Sequence, residues 1–165
     1  YIPEIMVGSI DPVRKIAELD DGRELPFDLF LGIPEHRVPE VLEDSGLVFD
    51  EWVPADKYTL KTKFPNVYAI GDVSSSGTPK AGLFAVSAAR AAAESIQAQY
   101  HGYDFSGSHT GAGSCYVEFG EGRVARADVD FFSKPEPVGR HHEASIGLSE
   151  EKKSLEIQRT GLWFG

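Results

Sequence analysis

The residues best placed to do chemistry lie between Thr62 and Ala93. Asp72 follows Gly71 at the end of a short apolar stretch, Val67-Tyr68-Ala69-Ile70, and a loop of small residues, Ser74-Ser75-Ser76-Gly77, leads on to an alanine-rich segment. The apolar stretch reads as a parallel strand buried on both faces. In open α/β sheets, ligands lie beyond the carboxyl ends of such strands. Asp72 would project there, able to accept hydrogen bonds from the hydroxyls of a sugar alcohol. Gly71 lets the backbone approach a ligand without a Cβ in the way. The alanine-rich segment is expected to be a helix from about Pro79 to Gln99, with Thr78 as N-cap and Pro79 at its first position. The free amides of Lys80, Ala81 and their neighbours would then form a positive pole facing negative charge.

Other reactive residue types carry less. Cys115 is the only cysteine, so no disulfide forms within the chain. Its neighbours Tyr116, Val117 and Phe119 fit a small residue buried on a strand. His141-His142 has no third ligand at zinc-like spacing and reads as a solvated loop pair, with no metal site. Gly111-Ala112-Gly113 lacks the strand-to-helix context of a dinucleotide fingerprint. The acidic group Glu40, Glu43 and Asp44 reads as the exposed face of a helix. Phe131-Phe132 and Trp163-Phe164 read as core aromatics, a dimer contact or part of a ligand pocket.

The elements that must position these residues follow from pattern. Lys15–Leu19 is a strand, Asp20-Asp21-Gly22 a turn, and Leu25–Ile33 an apolar run consistent with a buried strand, broken by Pro34 and Pro39. A short helix spans Val38–Ser45 and closes on Gly46. Residues 48–62 are mixed, short strand or loop. Gly102 ends the long helix. Residues 111–132 form a second hairpin turning at Gly120-Glu121-Gly122, and a last helix runs from Ser149, its N-cap, to about Arg159, with Glu150 and Glu151 in its first turn.

Composition narrows the function classes. The 165 residues carry a formal charge of −10, are 41% hydrophobic and 25% charged, and sit in the ordinary globular range. An acidic surface repels phosphate backbones, so nucleic acid is a poor partner. No apolar run reaches the length of a membrane span and no signal-peptide pattern opens the chain, so the expected location is cytoplasmic or peripheral to a membrane. The chain opens at Tyr1 in an apolar stretch and is read as a piece of a longer polypeptide, with a processed mature protein as the alternative.

The segment Thr62-Lys63-Phe64-Pro65-Asn66-Val67-Tyr68-Ala69-Ile70-Gly71-Asp72-Val73 resembles the second FAD-binding motif of the pyridine nucleotide-disulfide oxidoreductase superfamily. The Thr78-Pro79-Lys80-Ala81-Gly82 stretch, the Gly113–Glu118 strand and the ending from Arg159 to Trp163 resemble its sulfide:quinone oxidoreductase and flavocytochrome c sulfide dehydrogenase branch. The resemblance implies that Asp72 contacts the ribityl chain of FAD, that Gly71 and Val73 give backbone contacts nearby, and that Lys80 and Ala81 face the pyrimidine edge of the flavin ring. It also implies a redox role for Cys115, paired with a cysteine elsewhere in the polypeptide. The expected fold class is α/β, as an α+β fragment: the end of a nucleotide-binding domain over residues 1–46, the closing strand and helix of an FAD-binding domain over 47–103, and a small hairpin-and-helix domain resembling an interface or dimerisation domain over 104–165.

The GxGxxG that grips the ADP half of FAD is absent, so the isolated chain is expected to bind flavin weakly or not at all. The parent would be an FAD-dependent oxidoreductase, passing electrons from sulfide or NAD(P)H to a quinone, a cytochrome or a disulfide. Its partners would be the N-terminal half of the same polypeptide and, in a homodimer, a second copy. The alternative is a non-catalytic dimerisation or interaction module of a larger flavoprotein.

Overall fold

A computed structural model describes residues 2–33 and 35–165; Pro34, expected to break the apolar run, lies outside them. The chain is α+β, with helices and two small antiparallel sheets. It divides into two compact units, residues 1–36 and 37–165.

The first unit is a three-stranded sheet, β1 (Val7–Asp11), β2 (Ile16–Leu19) and β3 (Glu24–Pro26), paired in that order. Asp11 shapes the first turn by accepting from the amides of Val13 and Arg14, each at 2.9 Å. Gly22 supplies the positive φ of the second turn, +84°. Ala17 and Leu19 are buried. The expected buried strand over Leu25–Ile33 is not formed: β3 ends at Pro26, and Leu29, Leu31 and Ile33 are 74%, 84% and 88% exposed. Pairing stops where β2 begins, at Ile16 opposite Pro26, with one further bond from the Phe27 amide to the Lys15 carbonyl at 3.0 Å; Lys15 then turns into the left-handed region at φ +54° and leaves no extended neighbour for the residues that follow.

The second unit opens with α1 (Glu40–Asp44), closed by Gly46 at φ +68°; Glu40, Glu43 and Asp44 are exposed, as expected. Residues 47–81 are largely irregular. The expected strand Val67–Ile70 is an extended segment with one antiparallel bridge, Tyr68 to Lys61. Ala69 is buried but Ile70 is 39% exposed, because among the described residues no parallel neighbour pairs with it.

The long helix, α2, runs Gly82–His101 and ends on Gly102 in the left-handed region. It starts three residues later than expected. Thr78 does not cap it; the N-cap is Ala81, in extended conformation. The side chain of Lys80 ties this approach to the preceding turn. The alanines of α2 form the slim face predicted for them: Ala88, Ala91 and Ala92 pack on Leu60, with Tyr68 against the cluster.

A second sheet follows, β4 (Ala112–Gly120), β5 (Arg123–Asp130) and β6 (Val138–Ser145), again paired in order, and α3 (Ile146–Phe164) continues directly from β6. The hairpin agrees with the sequence reading. The third strand was not foreseen, since Val-Gly-Arg-His-His-Glu-Ala-Ser shows no apolar alternation. Ser145, not Ser149, caps α3 by accepting from the Leu148 amide at 3.2 Å, so Glu150 and Glu151 fall beyond the first turn. Polar ties join α3 to the sheet: Glu151 accepts from Arg126 at 2.7 Å and from the Tyr116 hydroxyl, and Lys152 pairs with Glu118 at 2.8 Å.

The loop between α2 and β4 is held by close approach. A Cβ on Gly107, at φ +99°, would stand 2.5 Å from the backbone of Tyr58. His109 is 2% exposed, with Nδ1 3.0 Å from Ser87 Oγ and its ring edge-on to Phe132.

Candidate functional site

The site grows from the turn at residues 62–67. Thr62 Oγ1 donates to the Val67 carbonyl at 3.0 Å and accepts from the Phe64 amide at 3.1 Å, closing a loop in which Asn66 takes φ +62°. A hydroxyl at this position is therefore a local structural requirement. Tyr68 and Asn66 both bond to Gln99 in the last turns of α2, Tyr68 at 2.8 Å. The extended segment is fixed at its start and delivers the chain to Gly71.

Gly71 turns sharply, at φ +68°, into a single 3-10 turn, Gly71–Val73. A side chain there would meet only the Ala85 methyl, at 3.8 Å, so backbone conformation rather than space demands glycine. The turn packs on the start of α2. Asp72 is exposed beside it. Gly71, Asp72, Ala81, Ala85 and their neighbours line a crevice of about 10 Å³, about the size of a single water site. Within this chain the arrangement is thus an open surface, with a carboxylate on one side, small residues beneath and a helix start on the other.

That helix start carries the amides of Gly82 and Leu83, which no side chain caps. The 20-residue helix behind them places partial positive charge there. The expected pole exists, but it is displaced from Lys80 and Ala81: the Ala81 amide donates to the Pro79 carbonyl at 2.9 Å.

Lys80 itself turns back on the protein. Its Nζ donates to the carbonyls of Asp72, at 2.5 Å, and Ser74, at 3.3 Å, and sits 3.3 Å from the centre of the Trp52 ring. Burial pushes the pKa of this ammonium down, and the nearby Asp72 carboxylate opposes the shift. Lys80 therefore clamps the 71–74 turn. Trp52, its platform, was not singled out from sequence, and no local pattern marks it; the pairing exists only through the fold.

The structure brings Gly71, Asp72, Val73, Lys80 and Ala81 together. Cys115 stands on β4, opposite Ala127, as a free and exposed thiol. The burial inferred from its neighbours does not hold, since Val117 and Phe119 are 51% and 59% exposed on the same side of the strand. The β4 strand meets the first turn of α2 at Gly113, where an added Cβ would collide with Leu83. His141 and His142 lie on strand β6, not in a loop. Successive strand residues point to opposite faces: His142 Nε2 is 2.6 Å from Asp128, and His141 is 3.6 Å from Glu143. Asp128 also accepts from Ser114 and pairs with Arg126; the Ser114 hydrogen bond, followed by those from its other partners, holds its carboxyl below the usual range against the opposing effect of burial.

No family model matches the chain. Over 123 residues it is 34% identical to the mitochondrial sulfide:quinone oxidoreductase of Schizosaccharomyces pombe, a match covering 72% of this chain and 26% of that protein. The chain thus spans about a quarter of the length of this relative. Among solved structures, a chain of the Tetrahymena thermophila mitochondrial ATP synthase F1Fo tetramer superposes with a TM-score of 0.61 at 16% identity, over 74% of this chain and 31% of that one. At that identity the likeness is one of fold. Among the described residues no helix is long and apolar enough to cross a membrane.

Proposed function

We propose that this chain is the C-terminal part of an FAD-dependent oxidoreductase of the sulfide:quinone oxidoreductase kind, and that it supplies one wall of the flavin site. The observation that carries the reading is the juxtaposition of the exposed Asp72 carboxylate, the glycine turn beneath it and the uncapped start of α2. The relative at 34% identity, a sulfide:quinone oxidoreductase, supports the class of reaction; FAD as the cofactor rests on the resemblance of the Thr62–Val73 stretch.

The residues present fit one part of FAD. Asp72 can accept hydrogen bonds from ribityl hydroxyls, Gly71 keeps the backbone low beneath them, and the amides of Gly82 and Leu83 face negative charge. When bound, the flavin supplies two-electron redox chemistry. The protein's contribution is to orient it, and Lys80 acts at one remove by fixing the turn that carries Asp72. The crevice of about 10 Å³ is far too small to enclose the cofactor; the remaining walls come from further polypeptide. Cys115, exposed on β4, is available to a second thiol on that polypeptide. Sulfide or NAD(P)H as donor, and a quinone, a cytochrome or a disulfide as acceptor, remain within this reading.

Asp72→Ala in the longer polypeptide tests it. Loss of a charge-assisted hydrogen bond of roughly 1.5–3 kcal/mol weakens flavin binding about tenfold or more, read as flavin absorbance retained per protein after gel filtration. Wild-type flavin content in the variant would overturn the assignment. The second reading, a non-catalytic interaction module, draws on the exposed Val117 and Phe119 of β4. It predicts a colourless dimer whose association is lost in Phe119→Ser.

A further inference from the structure

A groove between α2, β4 and α3, apart from the Gly71–Asp72 turn, holds about 610 Å³, inside the range of roughly 300–1,000 Å³ typical of small-molecule sites. Its apolar lining includes Leu83 and Val86 from α2 and Leu162 and Trp163 from α3. Two arginines complete it, Arg90 on α2 and Arg159 on α3.

The chain has 26 acidic residues against 16 basic ones, and Arg14, Arg23, Arg123 and Arg126 each pair with a carboxylate. Arg90 and Arg159, like Arg140 on β6, have no such partner among the described residues; unlike Arg140, they share one groove. Glu94, one turn along α2 from Arg90, also lines the groove and accepts from the Ser108 hydroxyl; its charge offsets part of the positive field, leaving the two arginines in excess by one charge. Guanidinium groups stay charged at any physiological pH. Two of them beside branched aliphatic side chains and an indole ask for a ligand with an anionic head and an apolar body.

We propose that this groove binds a long-chain carboxylate, its head between Arg90 and Arg159 and its chain along Leu83, Val86 and Leu162. The site does not depend on flavin. Its occupancy can therefore be tested on the 165-residue chain, independently of the proposed function.

Trp163 is the built-in reporter. In a Trp52→Phe background it is the sole tryptophan, since the chain has 2. Titration with monomeric dodecanoate is expected to shift its emission saturably, with one site per chain. Dodecanol, which lacks the charge, binds about tenfold more weakly. Arg90→Gln and Arg159→Gln each weaken dodecanoate about threefold, as expected for partly solvated ion pairs, and together about tenfold, with circular dichroism unchanged. An unmoved Trp163 emission, or equal affinity for the alcohol and the carboxylate, would overturn the proposal. The alcohol comparison needs no arginine variant and stands even if Arg90→Gln or Arg159→Gln fails to fold.

Discussion

Lys80→Met tests whether the candidate site is held by a clamp. The substitution keeps an unbranched side chain of similar reach and removes the ammonium. Three contacts go with it: the donation to the Asp72 carbonyl at 2.5 Å, the longer one to Ser74 at 3.3 Å, and the approach to the Trp52 ring at 3.3 Å. Hydrogen bonds from charged groups contribute roughly 1.5–3 kcal/mol each, and a cation over an aromatic face about 0.5–2 kcal/mol. The site is half-exposed, so water re-solvates the freed carbonyls, and the lower ends of those ranges apply. The burial that pushes the Lys80 pKa down is a desolvation cost that subtracts further. A methionine thioether against the indole returns about 0.5 kcal/mol. The net loss is about 2 kcal/mol, or roughly 6–10 °C in Tm for a unit of this size. Calorimetry of the chain reads the stability, and Trp52 emission reads the local contact. Lys80→Arg keeps the charge and the ring contact and recovers about half. In the longer polypeptide Lys80→Met also loosens flavin retention. A Tm within about 2 °C of wild type, with Trp52 emission unchanged, would refute the clamp.

Two further outcomes follow from the close approach of the loop between α2 and β4. Gly107→Ala combines left-handed strain, at φ +99°, with a Cβ placed 2.5 Å from the Tyr58 backbone, whereas Gly102→Ala at φ +74° meets nothing within 4 Å. The first is expected to cost more than about 3 kcal/mol and the second about 1 kcal/mol; equal losses in urea unfolding would refute the close approach. Burial holds the pKa of His109 below its ordinary value of 6.5, so the unfolded chain takes up that proton first as pH falls. Stability from this group is full above about pH 6.5, declines as pH falls through the folded pKa and levels off below it. His109→Gln is expected to flatten that slope between about pH 7.5 and 5, and an unchanged slope in urea titrations would show that His109 is not its source.

Local features are legible in the residues themselves. Gly22, Gly46, Gly71 and Gly102 mark turns because each adopts a positive φ that other residues resist. The alanine-rich stretch specifies a slim helix, and the Gly120-Glu121-Gly122 turn specifies a hairpin. Within Thr62–Val73 the turn is local, closed by the Thr62 hydroxyl on Phe64 and Val67, whereas the parallel strand expected over Val67–Ile70 needed a neighbour and is not formed. What depended on partners was not legible. Leu29, Leu31 and Ile33 have strand composition yet lie exposed, because a strand needs a neighbour that composition cannot promise. Strand β6 forms without apolar alternation because β5 offers it a ladder and Asp128 a partner for His142. Only the tertiary structure brings Trp52 under Lys80 and aims that ammonium at two carbonyls, just ahead of α2, which starts at Gly82 rather than Pro79. Contacts between residues far apart in sequence decide where a charge points, and that direction separates a cation facing a ligand from one that holds the ligand's support in place.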